Sequence, residues 1–233
     1  MKRFLKFNII VFAGLLMLSC QHETEENIKK EIPTKENLDA KYYSYWKDYQ
    51  IANTAKDVSY LTIEEKEIFY YLNLVRINPP LFAQTYAFGY NGDNGWSKGY
   101  AWEERKESLI DELLFMEPVS IIYPDDNLYE MAHCFAYEAG LLGITGHDRS
   151  QTSCNKGYNA ECCQYGGAPN GLSIIMSLLI DAGENNAALL HRRILLENRS
   201  MVMGASIQPH KNYRTNAVLD FGISKTGAES EKP

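Results

Sequence analysis

The chain has 233 residues, with 30 acidic against 23 basic side chains, a formal charge of −7 and 45% hydrophobic residues. An acidic balance of this size lacks the electrostatic footprint of a nucleic-acid binder or of a protein drawn to anionic lipid. The length suits a single domain with a sizeable core, and no internal repeat is visible.

At the start of the chain Lys2, Arg3 and Lys6 precede an uncharged run from Ile9 to Leu18. A basic flank and a short apolar core form the pattern of a secretory signal, and the run falls short of the ~20 residues that span a bilayer. It ends in Leu18-Ser19-Cys20, which resembles the lipobox of bacterial lipoproteins, with Met17 where Leu is commoner. The expectation is a signal peptide over 1–19 and lipid on Cys20, an anchor that dispenses with a transmembrane helix. The alternative is an ordinary cleaved signal with an incidental cysteine. Losing the leader removes Lys2, Arg3 and Lys6 and takes the formal charge from −7 to −10.

Residues 20–57 read as the lipidated cysteine and a polar tether, with Glu23, Glu25 and Glu26 close behind the lipid. Acidic residues at that place resemble surface-export signals of some Gram-negative lipoproteins. The expected location is therefore the outer membrane, facing either the surface or the periplasm. The expected partners are the membrane, through the lipid, and an unknown extracellular or periplasmic ligand. Tyr42, Tyr43, Tyr45 and Trp46 mark a part of the tether able to pack back on the domain.

The folded domain is expected over 58–224 and a polar tail over 225–233. Thr62 with Glu65 forms a capping box that opens a helix through Ile68, Tyr71, Leu72 and Val75, and Pro79-Pro80 stops it. A short helical piece begins at Leu81, and 87–104 reads as a long loop. A second helix follows Asp125-Asp126-Asn127 and closes near Gly140 or Gly143; a third runs from about Leu172 to Leu179. Two strand patterns, 201–207 and 216–222, are joined by a turn-like segment that predicts an antiparallel hairpin. Helices first and a terminal hairpin argue for an α+β fold or an α-β-α sandwich over alternating βαβ units.

Beyond Cys20 there are Cys134, Cys154, Cys162 and Cys163. An oxidising envelope permits disulfides, and four cysteines allow three connectivities. Cys154 can pair with Cys162 or Cys163, the adjacent pair can close on itself, or the thiols can remain buried and free.

Four polar side chains carry the chemistry: His147 in Gly146-His-Asp-Arg149, Glu161 in Asn159-Ala-Glu-Cys162, Asp181, and His191 in His191-Arg-Arg-Ile-Leu195. Neutral imidazoles and carboxylates suit Zn²⁺ or a similar divalent ion, and the same group can activate a water as general base. No His-x-x-x-His or Cys-x-x-Cys pair supports either by local motif, so a hydrogen-bonded structural role stands beside them.

The order of the segments adds more. Asn73-Leu-Val-Arg76, Leu128-Tyr-Glu-Met-Ala132, Gly146-His147, Ala160-Glu161, Leu179-Ile-Asp181, His191-Arg-Arg-Ile-Leu195, Met203-Gly204-Ala205 and Leu219-Asp-Phe-Gly222 follow one another. Together they resemble the CAP superfamily, the SCP-like extracellular domain, in its bacterial branch, over about Leu61 to Gly222. The resemblance implies a three-layer α-β-α sandwich, here with a small antiparallel sheet, and a cleft holding two histidines and acids. Carried over, His147 and His191 are the histidines, Glu161 the acid of a segment usually written Gly-Glu-Asn, and Asp181 the second acid, with Glu184 as fallback. Ala160 and Cys162 depart from that segment. Leu190 replaces a glycine and is expected to narrow the cleft beside His191.

The implied function is a binding module for a divalent metal and a small ligand, glycan or peptide. The alternative is a metal- or water-dependent hydrolase of peptide or cell-wall material using the same cleft. His133 reads as a satisfied core or boundary histidine, Arg76 as an anchor for its helix, and His210 as a solvated turn residue. No serine lies in Gly-x-Ser-x-Gly, and a nucleophilic role for Cys162 or Cys163 would need a lowered thiol pKa.

Overall fold

A computed structural model describes residues 34–92, 101–182, 188–199 and 201–223. Cys20, the signal peptide and the tail lie outside these residues, as does Glu184. No helix among the described residues is long and apolar enough to cross a membrane.

Packing begins earlier than the sequence suggests. Thr34 and Asn37 form a capping box for α1 (Lys35–Trp46), which buries Leu38, Tyr42 and Trp46 at four-residue spacing. Trp46 Nε1 donates to Thr85 Oγ1 at 3.1 Å, so residues 34–57, expected within the tether, belong to the folded body.

The predicted capping box opens α2 (Ile63–Ile77). Thr62 N donates to Glu65 Oε2 at 2.9 Å and Glu65 N to Thr62 Oγ1 at 3.2 Å. Near the other end of α2, buried Arg76 donates to the carbonyls of Ser120, Leu195 and Glu197, the anchoring role read from sequence. After Asn78 come α3 (Pro79–Phe82) and a π-turn over Ala83–Ala87. A helix absent from the sequence reading, α4 (Trp102–Phe115), occupies the end of the expected loop and extends beyond it. It starts at Ala101 in the left-handed region with no side-chain cap, so it lacks the usual start signal.

Then follow β1 (Tyr123–Pro124), α5 (Asp126–Leu142), β2 (Ala160–Tyr165), α6 (Gly171–Ile180), α7 (Leu190–Leu196), β3 (Met201–His210) and β4 (Arg214–Ile223). The sheet order is β1-β3-β4-β2. The β3–β4 hairpin is antiparallel, as expected, and β2 joins β4 antiparallel. Tyr123–Pro124 pairs parallel with Val202–Met203, so the α+β fold carries a mixed sheet rather than the small antiparallel one predicted.

Strand alternation distributes side chains to two layers. Cys162, Met203, Ala205, Leu219 and Phe221 join the large core with α2 and α6, whereas Cys163 and Val218 meet Ala132, Phe135 and Ala136 of α5. Two glycines allow close backbone approach, Gly204 between β3 and α5 and Gly171 between α6 and α2. A Cβ at Gly204 would sit 2.1 Å from the Leu128 and Tyr129 backbone, and one at Gly171 2.3 Å from that of Glu67. Helices thus cover both faces, and β2, an edge strand, runs between α5 on one side and α6 and α7 on the other.

The one disulfide among the described residues joins Cys134 of α5 to Cys154, Cα–Cα 5.6 Å. Of the alternatives left open by the sequence, Cys162 and Cys163 take the last, both free and buried, and Cys154 pairs with neither. Alternation along β2 turns Cys162 to the face away from Cys154; Cys163 shares the α5 side with Cys154, whose sulfur is taken by Cys134. His210 is also corrected. It is buried at the end of β3, with Nε2 on the Ile144 carbonyl at 2.9 Å and Nδ1 accepting from Asn212 N.

Candidate functional site

The loop after α5 carries His147, and the sequence ties it down at several points. Gly143 ends α5 with positive φ. Gly146 N donates to the Tyr165 hydroxyl at 2.8 Å, and that hydroxyl donates to the Gly146 carbonyl at 3.1 Å. The Cys134–Cys154 disulfide closes the loop onto α5. Arg149, buried between the rings of Phe135 and Tyr158, donates through Nη1 to the carbonyls of Met131 and Asn155. A pinned loop of this kind holds His147 with Nδ1 2.8 Å from Glu161 Oε1. The imidazole is 51% exposed while the Glu161 side chain is 2% exposed.

Glu161 is the hub. Besides His147 it meets Arg149 Nη2 through Oε2 and receives the Tyr158 hydroxyl on Oε1 at 3.1 Å. Arg149 Nη2 also reaches Asp220 Oδ2 at 3.0 Å, and Glu161 and Asp220 are register partners on β2 and β4. Burial opposes ionisation of Glu161, but hydrogen bonds from His147, Asp220 and Arg149 override it and hold its carboxyl below the usual value. Burial, then the bond to Glu161 and its charge, push Asp220 up to about 8. One proton and one guanidinium therefore serve two carboxyls: Asp220 keeps the proton and Glu161 keeps the charge.

The second histidine is held differently. Asp181 caps the C-terminus of α6 in the left-handed region, φ 54°. Its carboxylate accepts from His191 Nδ1 at 2.8 Å and from His191 N at 3.2 Å. Its own carbonyl accepts from Arg105 Nη1 at 2.7 Å. Leu189, just before α7, is also left-handed at φ 48°, and a non-glycine residue there is strained. Leu190 is half exposed beside His191.

The structure therefore brings the four predicted residues together as two pairs, His147–Glu161 and His191–Asp181, on opposite sides of β2. Buried Cys162 lies between them: burial first, then the charges of Asp181, Glu161 and Asp220, raise its thiol well above the usual value. In both pairs the acid takes Nδ1, which leaves Nε2 as the outer nitrogen of each ring. A carboxylate on the far nitrogen fixes tautomer and ring orientation, as behind metal-bound histidines.

Side chains that could hold a metal ion are present. Ligand atoms of His147, Glu161 and Cys163 all lie within 4.8 Å of one another, a group that His191 and Asp181 do not join. Cys134, Glu138 and Cys154 are also close, but the disulfide occupies both sulfurs. Sequence reading missed Arg149, Asp220 and Tyr158. Arg149 and Asp220 were in view only as parts of segments. No local signal marked Arg149, which sits in the polar run Gly146-His-Asp-Arg-Ser-Gln-Thr152; its burial, and so its need for buried acids, appears only in the fold. His133 is satisfied as expected, with Nδ1 3.1 Å from Ser206 Oγ and from Gln208 Nε2.

Comparison with protein-family models, curated proteins and solved structures finds no match for this chain.

Proposed function

We propose that this chain is an exported lipoprotein, anchored through Cys20 at the outer membrane, whose His147–Glu161 and His191–Asp181 pairs each offer an imidazole nitrogen to a divalent metal ion and, through it, to a small ligand, glycan or peptide. The observation that carries the binding half is the shared geometry. Each imidazole has its Nδ1 on a carboxylate at 2.8 Å, and each acid is almost wholly buried. Neutral rings held this way donate through nitrogen to Zn²⁺ or a similar borderline ion at ~2.0–2.1 Å. Export and anchoring rest on the basic, apolar and Leu-Ser-Cys pattern of residues 2–20.

A hydrolase is the second reading, favoured by the same carboxylate-oriented rings, since such a ring also serves as general base for a water. A thiol nucleophile is disfavoured. Cys163 is buried, and burial followed by the Glu161 charge raises its pKa well above the usual value.

Calorimetric titration of the chain with Zn²⁺ tests binding, repeated with His147→Ala and His191→Ala. Saturable binding weakened in both variants is expected. Absence of binding, or equal affinity in all three proteins, would overturn the reading. Turnover of a peptide or muropeptide library that both variants lose would favour the hydrolase.

A further inference from the structure

The inner edge of His147 faces a third donor that its counterpart lacks. Cys163 Sγ lies 3.6 Å from His147 Nδ1, while Glu161 Oε1 lies 2.8 Å from the same nitrogen. A tetrahedral ion with N, O and S ligands holds N and S ~3.6 Å apart and N and O ~3.3 Å apart. The nitrogen–sulfur spacing is already in place, and the exposed imidazole needs to swing by about half an ångström to open the other. Glu161 Oε2 is engaged by Arg149, which leaves Oε1 to turn to an ion, with Tyr158 OH the other group in contact. Arg149 would then support a ligating carboxylate from behind.

We propose that His147 Nδ1, Glu161 Oε1 and Cys163 Sγ form a thiolate-containing site for a borderline or soft metal ion such as Zn²⁺, Co²⁺ or Cd²⁺. It goes beyond the reading above, because it uses the opposite nitrogen of His147 and does not need His191. Carboxylate and thiolate together balance a 2+ charge. On binding, the Cys163 thiol loses its proton to solvent. Nδ1 also gives up its proton while the exposed Nε2 takes one up, so one proton leaves per ion. Thiolate selects against Mg²⁺ and Ca²⁺, which favour oxygen ligands. The Cys134–Cys154 disulfide removes the neighbouring sulfurs from competition, and Cys162 points to the other face of β2.

Titration with Co²⁺ followed by absorption tests the site. The expected result is a sulfur-to-cobalt charge-transfer band that saturates at one ion per chain. It should be lost in Cys163→Ser, retained in His191→Ala, erased by equimolar Zn²⁺ and indifferent to excess Mg²⁺. Binding heats compared in buffers of different ionisation enthalpy should give one proton released, a readout of the unaltered chain that stands even if Cys163→Ser folds poorly. Co²⁺ binding without the band, or a band that survives in a folded Cys163→Ser protein, would overturn the thiolate site and leave the two-histidine reading intact. No Co²⁺ binding at all would overturn both.

Discussion

The two imidazole–carboxylate pairs share a 2.8 Å bond to Nδ1 and little else. His191 stands on a helix start, held by a single aspartate that caps the preceding helix through a strained backbone. His147 stands on a loop, and its glutamate is wired to a buried arginine, a second carboxyl, a tyrosine and a neighbouring thiol. One pair is positioned by backbone geometry, the other by charge balance in a dry interior. The contrast teaches that equal pair geometry need not mean equal response to perturbation. Changes to charge should cost more stability on the His147 side than on the His191 side.

The largest effect is expected from Arg149→Met. Removing the cation leaves Glu161 anionic and buried beside Asp220, and breaking a buried pair in this way costs about 3–5 kcal/mol. Denaturant unfolding should show that loss. An Asp181→Asn variant should lose less, because no buried cation is stranded.

Replacing Cys134 and Cys154 by serine should remove about 3 kcal/mol, from a chain separation of 20 residues. The same change should loosen the loop carrying His147 and lower Zn²⁺ affinity there, with the His191 ring unaffected in NMR spectra. Asp181→Asn should instead lower Zn²⁺ affinity about 10–100-fold, the usual cost of losing a carboxylate behind a histidine ligand.

The smallest effect concerns pH. Asp220 has a folded pKa of about 8, above its unfolded value, so its contribution is full below the unfolded value and is lost as pH rises toward 8. Between pH 6 and 7 one proton difference is worth about 1.4 kcal/mol. Asp220→Asn should flatten the fall in stability over that interval, measured on metal-free protein. An unchanged slope would show that Asp220 and Glu161 do not divide proton and charge as described.

Much of the fold was legible where local chemistry decides structure. Thr62 and Glu65 announce α2, Asp125 and Gly143 bound α5, and the two final strands alternate cleanly. What escaped is governed by tertiary context. α1 is polar along most of its length and becomes a helix of the body only because Leu38, Tyr42 and Trp46 meet Thr85, Tyr86 and their neighbours. α4 lacks a capping side chain. β2 reads as a mixture because Glu161 and Gln164 are buried polar residues, satisfied by His147, Arg149 and Tyr158 in the one case and by the Gly166 carbonyl in the other. Tertiary context also hid Arg149 and Asp220, which are 71 residues apart yet in contact. Pairing each histidine with its acid required coordinates as well, since spacing shows neither which carboxylate faces which ring nor that β2 separates the pairs.

The claim that His147 is the metal-binding histidine is tested most directly by locating the ion. Crystals grown with Zn²⁺ and measured at the zinc absorption edge should show an anomalous peak ~2.0–2.1 Å from a ring nitrogen of His147. A peak at His147 is the result the account predicts. Zinc bound elsewhere, with the His147–Glu161 bond undisturbed, would contradict it.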